Sequence, residues 1–196
     1  LVLHHLLERQ HYRLGHWRLA ASDINYRRFF DVNTLAGLRV EDPGTFDAIH
    51  SLVKTLIANG KLQGLRLDHI DGLRDPAQYF QRLRRLVRDA QGEHPRPFYT
   101  VVEKILGEDE KLPKFSGVHG TTGYESMNVM TQVLIDGDGL APLDEVWRQI
   151  SNQPPKLEPV LLDAKRRVLA TLLASEFTVL ARLLARIASG HDSTRD

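Results

Sequence analysis

Apolar residues recur at helical spacing in two segments that both begin with an Asp-Pro pair. Asp is a preferred N-cap residue, and Pro is favoured at the first helical position because it has no N–H to leave unpaired. The sequence therefore predicts amphipathic helices starting at Pro43 and Pro76. Their predicted apolar stripes are Phe46, Ile49, Leu52, Val53, Leu56 and Ile57 in the first helix, and Phe80, Leu83, Leu86 and Val87 in the second.

Three short runs of aliphatic, aromatic and β-branched residues predict β-strands. They cover residues 23–31 (DINYRRFFD), 64–68 (GLRLD) and 97–103 (PFYTVVE), and helices separate them. This alternation is typical of an α/β fold with a parallel sheet. An open doubly wound sheet and a (β/α)8 barrel both fit, but no Gly-rich phosphate loop follows any strand, which disfavours a nucleotide-binding sheet.

The segments around these strands are mainly helical or irregular. Leucines at helical spacing predict a helix within residues 1–20, and a long loop is predicted over residues 104–123. Residues 125–134 then return to a helical pattern. The predicted fold class is therefore α/β, a partial (β/α)8 TIM barrel of about three βα units.

The last third of the chain carries no strand pattern. Residues 152–155 (NQPP) predict a linker, and the apolar positions of residues 157–188 predict one long helix or a helical pair. We therefore expect a partial catalytic barrel over residues 1–135, followed by an α-helical insertion or subdomain over residues 136–196.

Composition narrows the class of protein. The 196 residues include 26 Lys+Arg and 25 Asp+Glu, a formal charge of +1, which favours neither a nucleic-acid partner nor a membrane surface. The absence of Cys excludes disulfides and thiolate metal sites. The chain opens inside a predicted helix without an initiator Met, so we expect a piece of a longer protein, soluble and cytoplasmic.

Ionisable residues lie where two predicted strands end. Arg66 and Asp68 are two residues apart and so share one face of their strand, and Glu103 ends the next strand. A guanidinium beside a carboxylate keeps it ionised and oriented, as a carboxylate nucleophile requires. Two carboxylates flanking a glycosidic bond are the machinery of glycoside chemistry, with one attacking and the other donating a proton.

Strand-end acids also serve other purposes. A metal-dependent hydrolase using Asp68, His69, Asp71 and Glu103 is one alternative, although Asp68 and His69 would point to opposite faces if the strand continued. A structural ion pair of these acids with Arg66 or Lys104 is another. Near the N-terminus, Trp17 could stack on a sugar in a cleft or simply pack in a core.

Four blocks of sequence resemble one enzyme family. Residues 24–31 (INYRRFFD), 64–73 (GLRLDHIDGL), 102–106 (VEKIL) and 120–124 (GTTGY) are similar to the maltooligosyl trehalose synthases of the alpha-amylase superfamily. The resemblance extends through most of the chain.

The resemblance implies a reaction and a substrate. Members rearrange the reducing-end α-1,4 link of a maltooligosaccharide to an α,α-1,1 link, without a cofactor or a metal. By motif position, Asp68 would be the nucleophile, Glu103 the acid/base that needs a less polar pocket, and Arg66 the group that steers Asp68. A hydrolase or glucanotransferase of the same superfamily is the alternative function.

The resemblance also implies a binding pocket and missing parts. The superfamily commonly places Lys and His three and four residues after the nucleophile, where this chain has Asp71 and Gly72. The residues expected to line a closed pocket that excludes water are His69, Asp71, Lys104, Tyr124, Arg27 and Arg28. The superfamily's third acid has no counterpart here, so the rest of the catalytic domain would be a necessary partner, and we expect the chain alone to be inactive.

Overall fold

The computed structural model describes residues 2–107, 109–151 and 156–190, apart from the side chains of residues 21 and 22. The helices are α1 (Val2–Glu8), α2 (Ala20–Asp23), α3 (Pro43–Ala58), α4 (Pro76–Gln91), α5 (Tyr124–Val133), α6 (Leu140–Ser151), α7 (Leu157–Ala170) and α8 (Ala174–Ser189). The strands are β1 (Arg28–Phe29), β2 (Val32–Ala36), β3 (Gly64–Leu67), β4 (Tyr99–Val102) and β5 (Gly120–Thr121). The predicted linker, residues 152–155, lies outside the described residues.

The chain divides into two compact units. The first comprises Leu1–Ala36 and Asp144–Asp196, and the second comprises Gly37–Leu143. The division expected from the sequence, a partial barrel over residues 1–135 and a helical subdomain over residues 136–196, stays a prediction.

The second unit is built on a parallel sheet in the order β3-β4-β5. Leu67 pairs with Val102, and Val102 pairs in turn with Thr121. The α/β class with a parallel sheet is therefore confirmed. The strand β5 lies in the segment predicted to be a loop. The sequence did not indicate this strand, because two residues including a Gly are too short to show an alternating pattern.

Both Asp-Pro predictions are confirmed. Asp42 caps α3 by accepting the Thr45 N–H at 2.8 Å, and Asp75 caps α4 by accepting the Gln78 N–H at 2.9 Å. The Thr45 N–H bond lowers the pKa of Asp42, since it favours the ionised carboxylate. Each cap satisfies a backbone donor that the first helical turn would otherwise leave without a partner.

The hydrophobic core of the second unit lies between its helices and its sheet. Helix α3 contributes Phe46 and Ile57 to it, and α4 contributes Phe80, Leu83, Leu86 and Val87. The other members are Ile70, which follows β3, and Val102 of β4. Phe80 and Val102 are fully buried, and each side chain contributes roughly 1.5–3 kcal/mol by leaving water. The predicted stripe of α3 is wider than its buried face, because Ile49 and Leu52 are 40% and 66% exposed.

A buried histidine joins α3 to α4. His50 Nδ1 lies 2.7 Å from the Phe46 carbonyl oxygen and therefore carries the proton, and Nε2 lies 2.9 Å from the Tyr79 hydroxyl. Burial raises the pKa of Tyr79 to about 12. Both ring nitrogens are thus satisfied, so His50 is a packing residue.

The first unit differs from the prediction at its N-terminal end. The helix predicted within residues 1–20 ends at Glu8. The strand predicted over residues 23–31 is present only as β1, which is two residues long and pairs antiparallel with β2 in a separate two-stranded sheet. Phe30 adopts a left-handed backbone (φ 53°) that reverses the chain between them, so this segment does not join the parallel sheet.

The helical segment of the first unit is a pair, one of the two forms predicted. A break over residues 171–173 separates α7 from α8, and the two axes differ by 83°. Within the described residues no single helix is long and apolar enough to cross a membrane. The bent pair passes that test only when its two helices are taken together, by length and composition.

Candidate active site

Asp68 and Glu103 leave the same edge of the parallel sheet. Asp68 follows Leu67, the last residue of β3, and Glu103 follows Val102, the last residue of β4. Leu67 and Val102 are paired in register, and the Glu103 N–H donates to the Leu67 carbonyl at 2.7 Å. Because neighbouring parallel strands end side by side, the two carboxylates are brought together as the sequence predicted.

One guanidinium group joins the two carboxylates. Arg66 Nε lies 2.7 Å from Asp68 Oδ1, and Arg66 Nη2 lies 3.6 Å from Glu103 Oε1. The predicted Arg66–Asp68 pair is therefore present, but it is not buried, since the side chains of Arg66 and Asp68 are 57% and 48% exposed. The pair thus remains accessible to a ligand.

Glu103 is more enclosed than Asp68 and is surrounded by donors. Its side chain is 20% exposed, the His69 N–H donates to Oε2 at 3.2 Å, and the Tyr124 hydroxyl donates to Oε1 at 3.4 Å. These contacts and Arg66 fix the orientation of the carboxylate. The less polar pocket expected around Glu103 does not match this arrangement.

A left-handed residue turns the chain immediately after β3. His69 has φ 53° and ψ 47°, and a short 3-10 helix (Ile70–Gly72) follows. This turn aims the His69 N–H at Glu103, and the strand does not continue through His69, so the condition under which Asp68 and His69 would point to opposite faces is not met. A Cβ on residue 72 would come within 2.7 Å of the His69 imidazole, and only Gly leaves that ring its place.

Lys104 and Asp71 form an ion pair beside the acids. Lys104 Nζ lies 3.2 Å from Asp71 Oδ1 and 2.9 Å from Glu110 Oε1, and its side chain is only 12% exposed. The hydrogen bond with Glu110, supported by Asp71, raises the pKa of Lys104, and Lys104 lowers the pKa of Glu110. The ammonium group therefore ties the loop after β4 to the turn after β3.

The two predicted arginines belong to the first unit. Arg28 is 8% exposed and donates to Glu176 Oε1 through Nε at 3.0 Å, to Asn33 Oδ1 at 2.8 Å and to the Leu172 carbonyl at 3.0 Å. Arg27 is exposed. Burial tends to raise the pKa of Glu176, but Ser175, its own backbone N–H and Arg28 outweigh burial and lower it. Arg28 thus has the contacts of a structural residue.

The sequence pointed to the acids, Arg66 and the groups that contact Glu103, but it missed two residues that support the surrounding turns. Glu110 lies in an acidic loop and shows no spacing that ties it to Lys104. Gly72 departs from the family pattern, but that departure gives no sign that residue 72 must leave room for the His69 ring. Among the described residues, no three His, Asp or Glu side chains are grouped so that they could hold a metal ion.

The chain was compared with known proteins. No protein-family model matches it. Two proteins from the CDC 1551 and H37Rv strains of Mycobacterium tuberculosis, which carry the provisional name maltooligosyl trehalose synthase, are 39% identical over 181 residues. Those residues are 92% of this chain but 22% of each relative.

Solved structures give the same result for the fold. The maltooligosyltrehalose synthase from Arthrobacter ramosus and a mutant of that enzyme superpose with a TM-score of 0.82 at 41% identity, covering 92% of this chain and 23% of theirs. The chain therefore spans less than a quarter of the length of the relatives it matches. The resemblance predicted from the four sequence blocks is confirmed: over 92% of its length the chain is similar in sequence and in fold to a segment of the maltooligosyl trehalose synthases.

Proposed function

We propose that the polypeptide containing this chain is a retaining intramolecular transglycosylase. It converts the reducing-end α-1,4 link of a maltooligosaccharide into an α,α-1,1 link, leaving a trehalose end. The observation that carries this proposal is Arg66 contacting both Asp68 and Glu103 at the ends of adjacent strands. One guanidinium reaching both groups suits the separation of about 5–5.5 Å that a retaining mechanism requires.

Asp68 is the nucleophile of the first step. Its carboxylate forms a bond to the anomeric carbon of the penultimate sugar while the bond from that carbon to the leaving oxygen breaks. Glu103 in its acid form gives its proton to that oxygen, which becomes a hydroxyl of the released glucose. Arg66 orients Asp68 for the attack, and its exposure leaves room for the sugar beside it.

Glu103 reverses its role in the second step. The released glucose turns so that its own anomeric hydroxyl faces the glycosyl-enzyme bond. Glu103 takes the proton of that hydroxyl, whose oxygen bonds to the anomeric carbon, and Asp68 leaves as a carboxylate. No water enters or leaves the balance, so the product is an isomer of the substrate.

The hydrogen-bond donors around Glu103 support these two proton transfers. When Glu103 has lost its proton, the His69 N–H, the Tyr124 hydroxyl and Arg66 all stabilise the carboxylate. Tyr124 and His69 thus act on Glu103 as positioning residues, in addition to lining the pocket.

The Lys104 ion pairs suit a pocket that must retain glucose. Asp71 and Glu110 hold Lys104 between the loops that follow β3 and β4, which keeps those loops together beside the acids. In the complete enzyme, exchanging Asp71 for Ala should therefore raise the ratio of hydrolysis to isomerisation, since a looser pocket admits water. A product ratio equal to that of the wild type would contradict this role.

We also infer that β3, β4 and β5 are part of a (β/α)8 barrel. Their parallel order and the acids at the carboxyl edge support this, since barrel enzymes react at that edge. A barrel of typically about 250 residues needs further strands, and the superfamily's third acid would come from them. The rest of the catalytic domain is then the partner of this chain.

Product analysis of the complete enzyme tests the proposed function. Incubation with maltopentaose should yield a non-reducing sugar of unchanged mass, and the Glu103→Gln variant should yield almost none. The assay is loss of reducing ends together with chromatography of the products. Accumulation of free glucose and maltotetraose would identify a hydrolase, and longer and shorter maltooligosaccharides would identify a glucanotransferase; either result contradicts the proposal.

A further inference from the structure

The first unit contains an open groove that includes none of the catalytic acids. This N-terminal groove has a volume of about 950 Å³ and is lined entirely by residues between Gln10 and Tyr26. Small-molecule sites commonly have volumes of about 300–1,000 Å³ and combine aromatic surfaces with a few polar groups. The groove therefore has the size of a ligand site, and its lining indicates which ligand it fits.

Three aromatic side chains in the groove lining have exposed surfaces. Trp17 is 74% exposed, Tyr12 is 58% exposed and Tyr26 is 44% exposed. Among the described residues the Trp17 indole is not packed in a core, which favours the sugar-stacking alternative. Burying such rings against a ligand would remove apolar surface from water.

Neighbouring groups hold two of these rings in place. The Arg18 guanidinium lies 5.3 Å from the centre of the Trp17 ring, and the His16 ring lies 5.7 Å from it. The Tyr26 hydroxyl donates to the Asn33 carbonyl at 2.6 Å. Rings fixed before binding lose little conformational freedom when a ligand arrives.

The polar part of the lining is rich in neutral donors and acceptors. His16 Nδ1 accepts the Arg18 N–H at 3.3 Å, so its neutral ring carries a proton on Nε2 that can be donated. Asn25 and Gln10 add amide groups. Among the lining residues, Arg13 is the single Arg or Lys and Asp23 the single acid, and the Arg18 guanidinium adjoins the lining at Trp17.

We propose that the N-terminal groove binds an α-glucan chain, with sugar rings against Trp17 and Tyr12. A pyranose presents C–H groups on its faces, which suit an aromatic ring, and hydroxyls around its edge, which suit amides and imidazole. An apolar ligand would leave the polar groups of the lining without partners. This proposal rests on the proposed function for its substrate class.

Binding of maltoheptaose to the complete enzyme tests the groove. The measurement is isothermal titration in an Asp68→Asn background, which prevents turnover. Trp17→Ala should raise the dissociation constant about tenfold, equivalent to about 1.4 kcal/mol, whereas Trp17→Phe, which keeps an aromatic ring, should raise it by less than about threefold. Tyr12→Ala is the second variant and should raise it by about threefold.

The matched control is Trp147→Ala. Trp147 lies on α6, is 59% exposed and does not line the groove, so its loss should leave the dissociation constant unchanged. The proposal is overturned if Trp17→Ala and Tyr12→Ala bind maltoheptaose like the parent, or if Trp147→Ala weakens binding as much as Trp17→Ala. If binding depends on Trp17 but the enzyme releases glucose, the proposed function fails and the groove stands. If trehalose-ended products form but the dissociation constant of maltoheptaose is the same in Trp17→Ala and its parent, only the groove proposal fails.

Discussion

Arg28 and Arg66 each pair with a carboxylate, in different units of the molecule and in opposite surroundings. The side chain of Arg28 is 3% exposed, and its guanidinium donates to Glu176, Asn33 and the Leu172 carbonyl. The side chain of Arg66 is 57% exposed where it contacts Asp68 and Glu103. The same pair of residue types thus occurs once inside a fold and once at an accessible strand end.

The difference shows what separates a structural ion pair from a candidate functional one. A buried guanidinium must have its donors satisfied within the fold, because an unpaired buried charge costs several kcal/mol. Arg28 meets that requirement through its hydrogen bonds with Glu176, Asn33 and the Leu172 carbonyl. An exposed pair contributes little to stability, about 0–1 kcal/mol, so Arg66 holds two acids in position without supporting the fold.

The largest effect should come from removing the proposed nucleophile. In the complete enzyme, Asp68→Asn should lower kcat by about 10⁴-fold or more, because an amide cannot form the glycosyl-enzyme bond. Its free energy of unfolding should change by less than about 1 kcal/mol, since the side chain is half exposed. Steady-state kinetics and urea unfolding measure the two quantities. A variant that retains a tenth of the activity would remove Asp68 from the mechanism.

Replacing Arg28 should give the opposite pattern. Arg28→Met should lower the free energy of unfolding of the chain by about 2–3 kcal/mol, because Glu176 and the Leu172 carbonyl lose charged hydrogen bonds. The exposure of Glu176, 40%, keeps the figure below that of a fully buried pair. Urea unfolding followed by circular dichroism is the measurement.

The control for this prediction is the neighbouring residue. Arg27 is exposed, so Arg27→Met should change the free energy of unfolding by less than about 0.5 kcal/mol. Equal effects of the two substitutions would show that the burial of Arg28 does not decide its role.

A smaller effect is expected from a conservative change at Arg66. Arg66→Lys should lower kcat/KM of the complete enzyme by about 10–100-fold, because one ammonium group cannot reproduce the planar fork that contacts Asp68 and Glu103. Stability should be nearly unchanged. A substitution to Lys that destabilises the chain as much as Arg28→Met, with kinetics intact, would contradict the contrast between the two arginines.

The smallest effect is a dependence of stability on pH. The folded pKa of Glu176 lies below its ordinary 4.5, so its ionised form contributes stability above pH 4.5 that is lost as pH falls through the folded value. The difference in unfolding free energy between the wild type and Glu176→Gln should therefore shrink between pH 6 and pH 3. Urea unfolding across that range measures it, and a constant difference would exclude this contribution.

Local chemistry explains the parts of the fold that the sequence predicted. The caps of α3 and α4 join residues three apart in the sequence, so Asp42 and Asp75 predict where these helices begin without knowledge of the rest of the fold. The two acids likewise end strands whose apolar pattern is visible in the chain. The motif blocks then identified the relatives, and the comparisons confirmed that resemblance.

The remainder depends on contacts between residues far apart in the sequence. Arg28 and Glu176 are 148 positions apart, and no spacing rule links a short strand to the start of α8. The antiparallel partner of β1, the brief strand β5 and the left-handed turn at His69 were likewise set by partners that only the folded chain supplies. The sequence alone determined which residues carry charge at the strand ends. The tertiary structure decided which of these charges are buried and which remain accessible to a ligand. The reason is that the burial of a side chain depends on every residue that packs around it.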